Sequence, residues 1–421
     1  MSNEPLPHVV IIGGGFAGLW AARALADAPV RITLLDRGNY HLFQPLLYQV
    51  ATAGLSAPDI AAPLRHILRK QENVTVLMEE ATVLDPATRK VMLANGDTVD
   101  FDYALLATGA THAYFGHDEW AEHAPGLKSL EDALDIRRRI LSAFELAEVS
   151  DDPEERKALL TFAIVGGGPT GVELAGTMAE IARHTMSHEF RHIDPAHSRV
   201  MLLEAGPRVL SSFDPELSEK ARLQLERLGV EVLTGTPVAS IDSKGVRVGE
   251  RHIAARTVLW AAGVAASPLA RTLGVPLDRA GRVSVESDLS VPGHPHVFVA
   301  GDLASIQSDG RPVPGVAPAA KQMGKHVAKT IRARLAGEAA THFRYRDFGN
   351  LATIGRMAAV VQVGRWKLSG ALAWWFWLWA HVFFLIGFRN RLVVMLNWTW
   401  AYWTYQRAAR IILGKGPEAG N

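Results

Sequence analysis

Two triplets of glycine, each followed by an acid, are the residues in this chain best spaced to do chemistry. Gly13, Gly15 and Gly18 stand in the order G-x-G-x-x-G, with Asp36 closing the stretch, and Gly166, Gly168 and Gly171 repeat the spacing ahead of Glu204. In such a triplet the first glycine lets the chain turn sharply, the second lets backbone approach a pyrophosphate, and the third lets helix pack on strand. The N-terminus of the following helix faces the phosphate charge, and the acid accepts hydrogen bonds from a ribose diol. A lone glycine triplet is a common pattern, so the flanking elements decide.

Those elements are present in both places. An apolar run from His8 to Ile12 feeds the first triplet, an alanine-rich helix follows, and a second apolar run closes on Asp36. Thr161 to Val165 and Arg199 to Leu203 frame the second triplet in the same way. The duplication predicts an α/β chain with two Rossmann-like domains that bind two dinucleotides face to face; the alternative is one working site and one structural relic. Tyr103 to Ala107 ends at Thr108 and Gly109, and Thr257 to Ala261 ends at Gly263, as parallel strands do where they meet a ligand crevice. His296 to Ala300 reads as a strand that delivers Asp302, after Gly301, to a ligand, and Pro318 to Leu335 as a helix starting near the same crevice. Val74 to Asp85 and Lys90 to Asp100 read as strands, and Ser129 to Glu148 as a helix N-capped by Ser129. The charged stretch Asp151 to Lys157, with Pro153, reads as a linker. The loop RGNYHLFQPLLYQVATAGL suits either a flat cofactor or the core.

Bulk properties narrow the function. At 421 residues the chain exceeds one typical core. A net charge of +1 gives no support for a nucleic-acid partner. With no cysteine, disulfides, thiolate metal sites and thiol redox relays by the protein itself are excluded. The opening MSNEPLPH lacks the basic and apolar regions of a signal peptide, so the folded part is expected in the cytoplasm. His188, Glu189 and His192 spell H-E-x-x-H, with His184 one turn before; a solvated face of an extended helix is the expectation, and no metal site is assigned.

The C-terminal stretch differs in kind. Ala371 to Phe388 holds eighteen residues without Lys, Arg, Asp or Glu, and eight of the eleven tryptophans lie between Trp366 and Trp403. As one helix the eighteen would extend about 27 Å, a little short of a hydrocarbon core of roughly 30 Å. Leu392 to Tyr405 reads as a second helix, with Asn390, Asn397 and Thr404 on a narrow polar stripe. Arg389, Arg391, Arg407, Arg410 and Lys415 suit an anionic leaflet, and the aromatics a headgroup boundary. A membrane-surface segment is expected; a buried dimer interface is the alternative.

With VVIIGGGFAGLWAA, FQPLLYQVATAGL, LLATGA, AIVGGGPTGVELAG, LWAAGV, VFVAGD and LATIGR on the page, and GFRNR in the tryptophan-rich tail, the chain resembles the type II NADH:quinone oxidoreductases over nearly its whole length. The resemblance implies a glutathione-reductase-like pair of domains plus a C-terminal helical membrane-anchoring segment. Residues 1–115 and 291–345 would form the FAD-binding domain, 116–157 a connecting helix and linker, 158–290 the NADH-binding domain, and 346–421 the membrane-associated region. It implies FAD, held non-covalently by Gly13, Gly15, Phe16, Ala17, Gly18, Asp36, Gln44, Thr108, Gly109, Gly301, Asp302 and Ala319. NADH would meet Gly166, Gly168, Pro169, Thr170, Gly171, Glu173, Glu204, Ala262 and Gly263. Gln49, Ala317, Lys321 and Gln322 would face a membrane quinone, with Glu173 and Gln322 as the catalytic residues. Hydride would pass from NADH to FAD and two electrons on to the quinone, without proton pumping, in a homodimeric enzyme peripheral to the inner face of the cytoplasmic membrane. Where the family pattern has glutamines, this chain has Pro318 and Met323, and Asp36 stands where many relatives have glutamate. The competing functions are a soluble NADH-dependent ferredoxin-type reductase, which would not need the aromatic tail, and a nucleotide-sensing flavoprotein.

Overall fold

Why the glycine turns sit where they do follows from the strands beside them. In a computed structural model of the chain, which describes residues 5–186, 189–385, 388–404 and 409–412, the first part holds β1 (His8–Ile12), α1 (Phe16–Ala24), β2 (Arg31–Asp36), α2 (Leu47–Ala51), β3 (Val74–Met78), β4 (Tyr103–Leu106) and α3 (Leu130–Val149). Then come β5 (Thr161–Val165), α4 (Pro169–Glu180), β6 (Arg199–Leu203), β7 (Val230–Leu233), β8 (Thr257–Trp260), β9 (His294–Val299) and α5 (Ala317–Leu335). Last are the hairpin strands β10 (Asn350–Gly355), β11 (Ala358–Val363) and β12 (Trp366–Ser369), and the helices α6 (Ala371–Phe384) and α7 (Phe388–Thr404).

The chain forms two compact units. One comprises Met1–Leu42, Ala61–Thr111 and Val264–Asp347; the other comprises Phe43–Ile60, His112–Gly263 and Phe348–Asn421. The first contains a sheet in the order β9-β4-β1-β2-β3, parallel throughout, extended at the β9 edge by an antiparallel two-residue strand, Ser290–Val291. Residues of β1 are buried on both faces, which is why the strand reads as a continuous apolar run rather than an alternating one. The second unit contains the parallel sheet β7-β6-β5-β8, again with the triplet-bearing strand inside it.

Several local features deserve their physical reason. Ser129 caps α3 with a reciprocal box: its hydroxyl accepts the Asp132 N–H, and the Asp132 carboxylate accepts the Ser129 N–H. The stretch read as a linker folds from Pro153 to Leu159 as a short helix, because Asp152 caps it through the Glu154 N–H and proline is favourable at the first helical position. The loop after Asp36 leaves the first unit: Phe43, Leu46, Leu47, Tyr48, Val50 and Ala51 are buried, and α2 packs on α3 and α4 of the second unit. These six residues of the loop pack into the core of the second unit.

The H-E-x-x-H stretch does not continue a helix. Beyond α4 one π-turn covers Ile181–Thr185, and Glu189 to Ile193 are irregular; His188 lies outside the described residues. Glu189 pairs with Arg410 at 2.5 Å, while the Glu148 carboxylate accepts the N–H groups of Arg191, His192 and Ile193.

The charge-free tail also differs from a single eighteen-residue helix. The first helix stops at Phe384, and Leu385 is extended (φ −63°, ψ 135°). Arg391 reaches back to donate to the carbonyls of Phe383 and Leu385, at 2.9 and 2.8 Å, satisfying acceptors that a helix end leaves open. Arg391 and Arg410 are therefore engaged within the protein itself. Asn397 of the polar stripe donates to Asp59 at 3.3 Å; the side chains of Arg389 and Thr404, and residues Arg407 and Lys415, lie outside the described residues. At fourteen residues α6 is about 21 Å long, and no described helix is long and apolar enough to cross a membrane.

Candidate functional site: two glycine cradles

Each parallel sheet ends in the same cradle, atom for atom. At the end of β1, Gly13 (φ +107°) donates to the Leu35 carbonyl at 2.7 Å; at the end of β5, Gly166 (φ +110°) donates to the Leu203 carbonyl, also at 2.7 Å. A Cβ on Gly18 would stand 1.8 Å from the Gly13 carbonyl oxygen, and one on Gly171 would stand 1.8 Å from that of Gly166, so no larger residue fits either helix against its turn. At Gly15 and Gly168, the N-caps of α1 and α4, a Cβ would meet nothing within 4 Å, and neither helix start has a side-chain cap. Both helix starts thus have open space beside the N-cap glycine and no side chain that caps their first-turn N–H groups, as a phosphate cradle requires. Pro169 opens α4 without removing an N–H the helix needs.

The acids bind the turns themselves. Asp36 accepts the N–H of Gly14 at 2.5 Å and of Gly38 at 2.7 Å; Glu204 accepts that of Gly167 at 2.5 Å and of Gly206 at 2.6 Å. Burial raises the Asp36 carboxyl above its ordinary range, outweighing the two N–H donors that favour its charge.

Distant segments converge on the first cradle. A Cβ on Gly324 would stand 2.0 Å from the Ala17 carbonyl oxygen, and a Cβ on Gly301 (φ +78°) would touch Ala320 and Ala17 at 3.5 and 3.7 Å. The structure so brings Phe16 and Ala17, Gly301 and Asp302, and the start of α5 with Ala317 and Ala319 to one place. Pro318 sits in the first turn of α5, where its missing N–H costs nothing. Met323 is buried, and its Sδ accepts the Gly301 N–H at 3.1 Å, so a sulfur takes up an internal bond at this position. Lys321 lays its ammonium 4.0 Å from the Trp20 ring centroid. Gln322 is tied to the chain beyond α5: its amide accepts the Arg346 N–H at 2.9 Å and donates to the Arg346 carbonyl at 3.0 Å. Gln49 stands in the second unit, where its carbonyl oxygen accepts the Trp398 indole N–H at 2.7 Å. Gln44 is partly buried in the same unit.

The second cradle is closed on its far side by Ala261 and Ala262, which a Cβ on Gly166 would meet at 2.5–2.6 Å. Thr170 is partly buried, whereas Glu173 is buried inside α4 and accepts the Thr353 N–H of β10. Burial pushes its carboxyl well above the ordinary glutamate range despite that bond, so it is neutral at low pH and resists ionisation as pH rises.

A family model described as pyridine nucleotide-disulphide oxidoreductase matches residues 7–324. The type II NADH:quinone oxidoreductase Ndh of Mycobacterium tuberculosis is 48% identical over 422 residues, 96% of this chain and 90% of that protein. The chain belongs to this family. Another type II NADH:quinone oxidoreductase of the same organism, NdhA, is 47% identical over 408 residues, covering 93% of this chain and 86% of the relative. In fold the chain is similar to a solved structure of NDH2 from Plasmodium falciparum in complex with NADH, with a TM-score of 0.88, 19% identity, and 97% and 100% of the two chains covered.

Membership of the type II family implies FAD and NADH, and the first cradle fits FAD on its own evidence. Besides the open Gly15 turn, two buried atoms there, Thr108 Oγ1 and His41 Nε2, have no hydrogen-bond partner among the described residues. His41 Nδ1 lies 2.9 Å from the Gly14 carbonyl, which can only accept, so Nδ1 carries the proton and Nε2 offers a lone pair. Burial lowers this imidazole to about 4, so the tautomer stays neutral at physiological pH. Neither the buried His41 nor the Trp398 partner of Gln49 carries a motif that sequence reading would single out; only adjacency to the glycine turn and the tail reveals them.

The raised Glu173 carboxyl has a measurable consequence. A carboxyl whose folded pKa exceeds its unfolded value contributes stability that is fully present below about 4.5 and is lost as pH rises through the folded pKa. Glu173→Gln, neutral at every pH, should therefore gain stability relative to the parent as pH rises from 5 to 9, read from thermal-melting midpoints of both proteins across that range; a gap that stays constant would show that the folded carboxyl is not raised.

Proposed function

We infer that this protein oxidises NADH and reduces a membrane quinone, with FAD in the first cradle and NADH in the second. The observation that carries the reading is the duplicated cradle, each with its own acid, in a chain that also bares a row of aromatic side chains. FAD, when bound, takes a hydride from NADH and passes two electrons on to the quinone. The protein's own part is to hold and orient. The open amides at Gly15 and Gly168 receive phosphate groups, and Asp36 and Glu204 shape the turns and face ribose hydroxyls. The start of α5 supplies a positive helix end for a group that gains electron density. With no cysteine in the sequence, the thiol relay of disulphide reductases has no residue to run on. The relatives' shared name speaks against a soluble ferredoxin-type reductase.

We assign the quinone side to Gln49, Ala317, Lys321 and Gln322, and the membrane surface to the outer faces of α6 and α7. Trp375, Phe376, Trp379 and Phe383 are 44–69% exposed on α6, and Leu396 and Trp400 about 60% on α7, while Ala373, Trp377, Val382 and Val394 face inward and are buried. Helices of this length with one face packed on protein and the other aromatic suit a monotopic seat on the inner face of the cytoplasmic membrane, homodimerisation through the same face being the competing arrangement. The units are read here as an FAD-binding and an NADH-binding domain.

Four measurements test this reading. NADH should be strongly preferred to NADPH, because a carboxylate repels a 2′-phosphate, and Glu204→Ala should narrow the ratio; comparable kcat/KM values for the two nucleotides in the parent enzyme would sink it. Gln322→Ala should leave flavin reduction by NADH near normal in stopped flow and slow reoxidation by a short-chain quinone by about tenfold or more, since it loosens the segment at Arg346; two unchanged half-reactions would remove the assignment. Removing the whole tail would strip β11 of its cover, so exposed residues are the better target. Replacing Trp375, Trp379 and Phe383 by serine should abolish sedimentation with anionic phospholipid vesicles, each ring contributing about 1.5–3 kcal/mol on burial, while ferricyanide reduction persists. Retained vesicle binding with conversion of a dimer to a monomer would establish the interface instead. A single cysteine at the 74% exposed Val149 should react with an impermeant reagent from the cytoplasmic side only.

A further inference from the structure

Phe115 is a large aromatic residue that stays 70% exposed although it touches Gly263 and the Trp260 ring. Its neighbour Tyr114 turns inward: the ring is buried, stacks on Trp260 at 5.1 Å, and its hydroxyl donates to the Ala124 carbonyl at 2.8 Å. Phe115 then adopts φ +54° and Gly116 φ +92°, two consecutive left-handed residues that throw the Phe115 ring outward until it is 70% exposed. A bulky side chain rarely accepts that backbone region, and such outliers gather at ligand sites.

The ring is not loose. Ala113 donates its N–H to the Gly263 carbonyl at 3.2 Å, and the Trp260 indole donates to the Ala113 carbonyl at 2.9 Å, so the segment is pinned to both ends of the turn after β8. A Cβ on Gly263 would stand 2.5 Å from Phe115 Cζ, which means the ring lies directly on that glycine. The same turn, at Ala261 and Ala262, forms the wall against Gly166, and the Ala261 N–H donates to the Val165 carbonyl at 2.7 Å. Phe115 thus has one edge on the wall of the second cradle and a tilted contact with the Trp260 ring at 6.2 Å between centroids, while most of its surface stays exposed at the carboxyl end of a parallel strand where nucleotides bind.

We propose that Phe115 is a stacking platform for a planar ring of the dinucleotide in the second cradle, with Gly263 kept small to seat it. The proposal rests on NADH being the nucleotide there. Stacking a base on an aromatic ring is tolerant of sequence but not of losing the π-face, so an aliphatic side chain of similar volume cannot replace it.

The test uses the full-length, flavin-loaded enzyme and titrates NAD⁺, followed by quenching of the protein and flavin fluorescence, alongside steady-state kinetics. Phe115→Ala and Phe115→Leu should each weaken NAD⁺ binding and raise the KM for NADH by about tenfold with kcat little changed, and Phe115→Trp should restore both, while the flavin spectrum and thermal midpoint stay those of the parent. Gly263→Ala, which displaces the ring, should reproduce the loss. Reduced nicotinamide mononucleotide, which lacks the adenosine, identifies the stacked ring: a loss shared with it assigns the nicotinamide, a loss confined to the dinucleotide assigns the adenine. NAD⁺ affinity within twofold of the parent in both Phe115→Ala and Phe115→Leu overturns the proposal, as does a Leu variant that binds like the parent. A parent enzyme that binds no NAD⁺ at all would instead overturn the NADH reading itself. Should the alanine variant lose flavin, the leucine and tryptophan variants alone decide.

Discussion

The structure depends on a carboxylate at the end of one strand holding the middle glycine of a turn at the end of its neighbour. Asp36 does this to Gly14 and Glu204 to Gly167, each with a second N–H two residues beyond the acid. A charge-assisted bond to a backbone amide is stronger than a neutral one, and here it fixes the turn whose open N–H groups must keep their aim. Gly13 and Gly166 could not hold their left-handed angles with a side chain, and Gly18 and Gly171 could not approach the turn with one. The glycines make the cradle possible, and the acid makes it rigid.

That economy explains what was legible in the sequence. β1, β5 and β6 begin and end at the residues the apolar runs indicated, because strands buried on both faces leave continuous hydrophobic signatures and the turns between them need glycine. The Ser129 cap is equally visible, since hydroxyl and carboxylate three residues apart have one common use before a helix. Less legible was anything decided by a partner far along the chain. Asp151 to Lys157 looked like a linker from its charge and proline, yet those same residues are what a short helix wants in its first turn. Nothing local announces that Gln322 will be spent on the Arg346 backbone, or that Met323 will accept a bond from Gly301.

The tail shows the same limit from the other side. Composition marks it as apolar and aromatic but cannot say which rings face the protein, because the first helix has no polar face and the second only a narrow polar stripe whose partners lie far along the chain. The direction comes from β11, against which α6 packs, and from Gln49 and Asp59, which take hydrogen bonds from Trp398 and Asn397. Arg391 completes the arrangement by closing the carbonyls at the end of α6, which converts one long apolar run into two helices.

The division of the run also bears on the proposed seat at a membrane surface. A spanning helix would satisfy its backbone internally and bury aromatics all round; here the inner residues Ala373, Trp377 and Val394 are already covered by protein, so only the outer face has apolar area left to give to lipid. An interfacial seat of that kind holds by area rather than by topology. It follows that the face presenting Trp379 and Phe383 can be weakened one ring at a time without disturbing the cradles, whereas a change at Trp377, buried and in ring contact with His381 and Trp398, acts on the protein's own packing first.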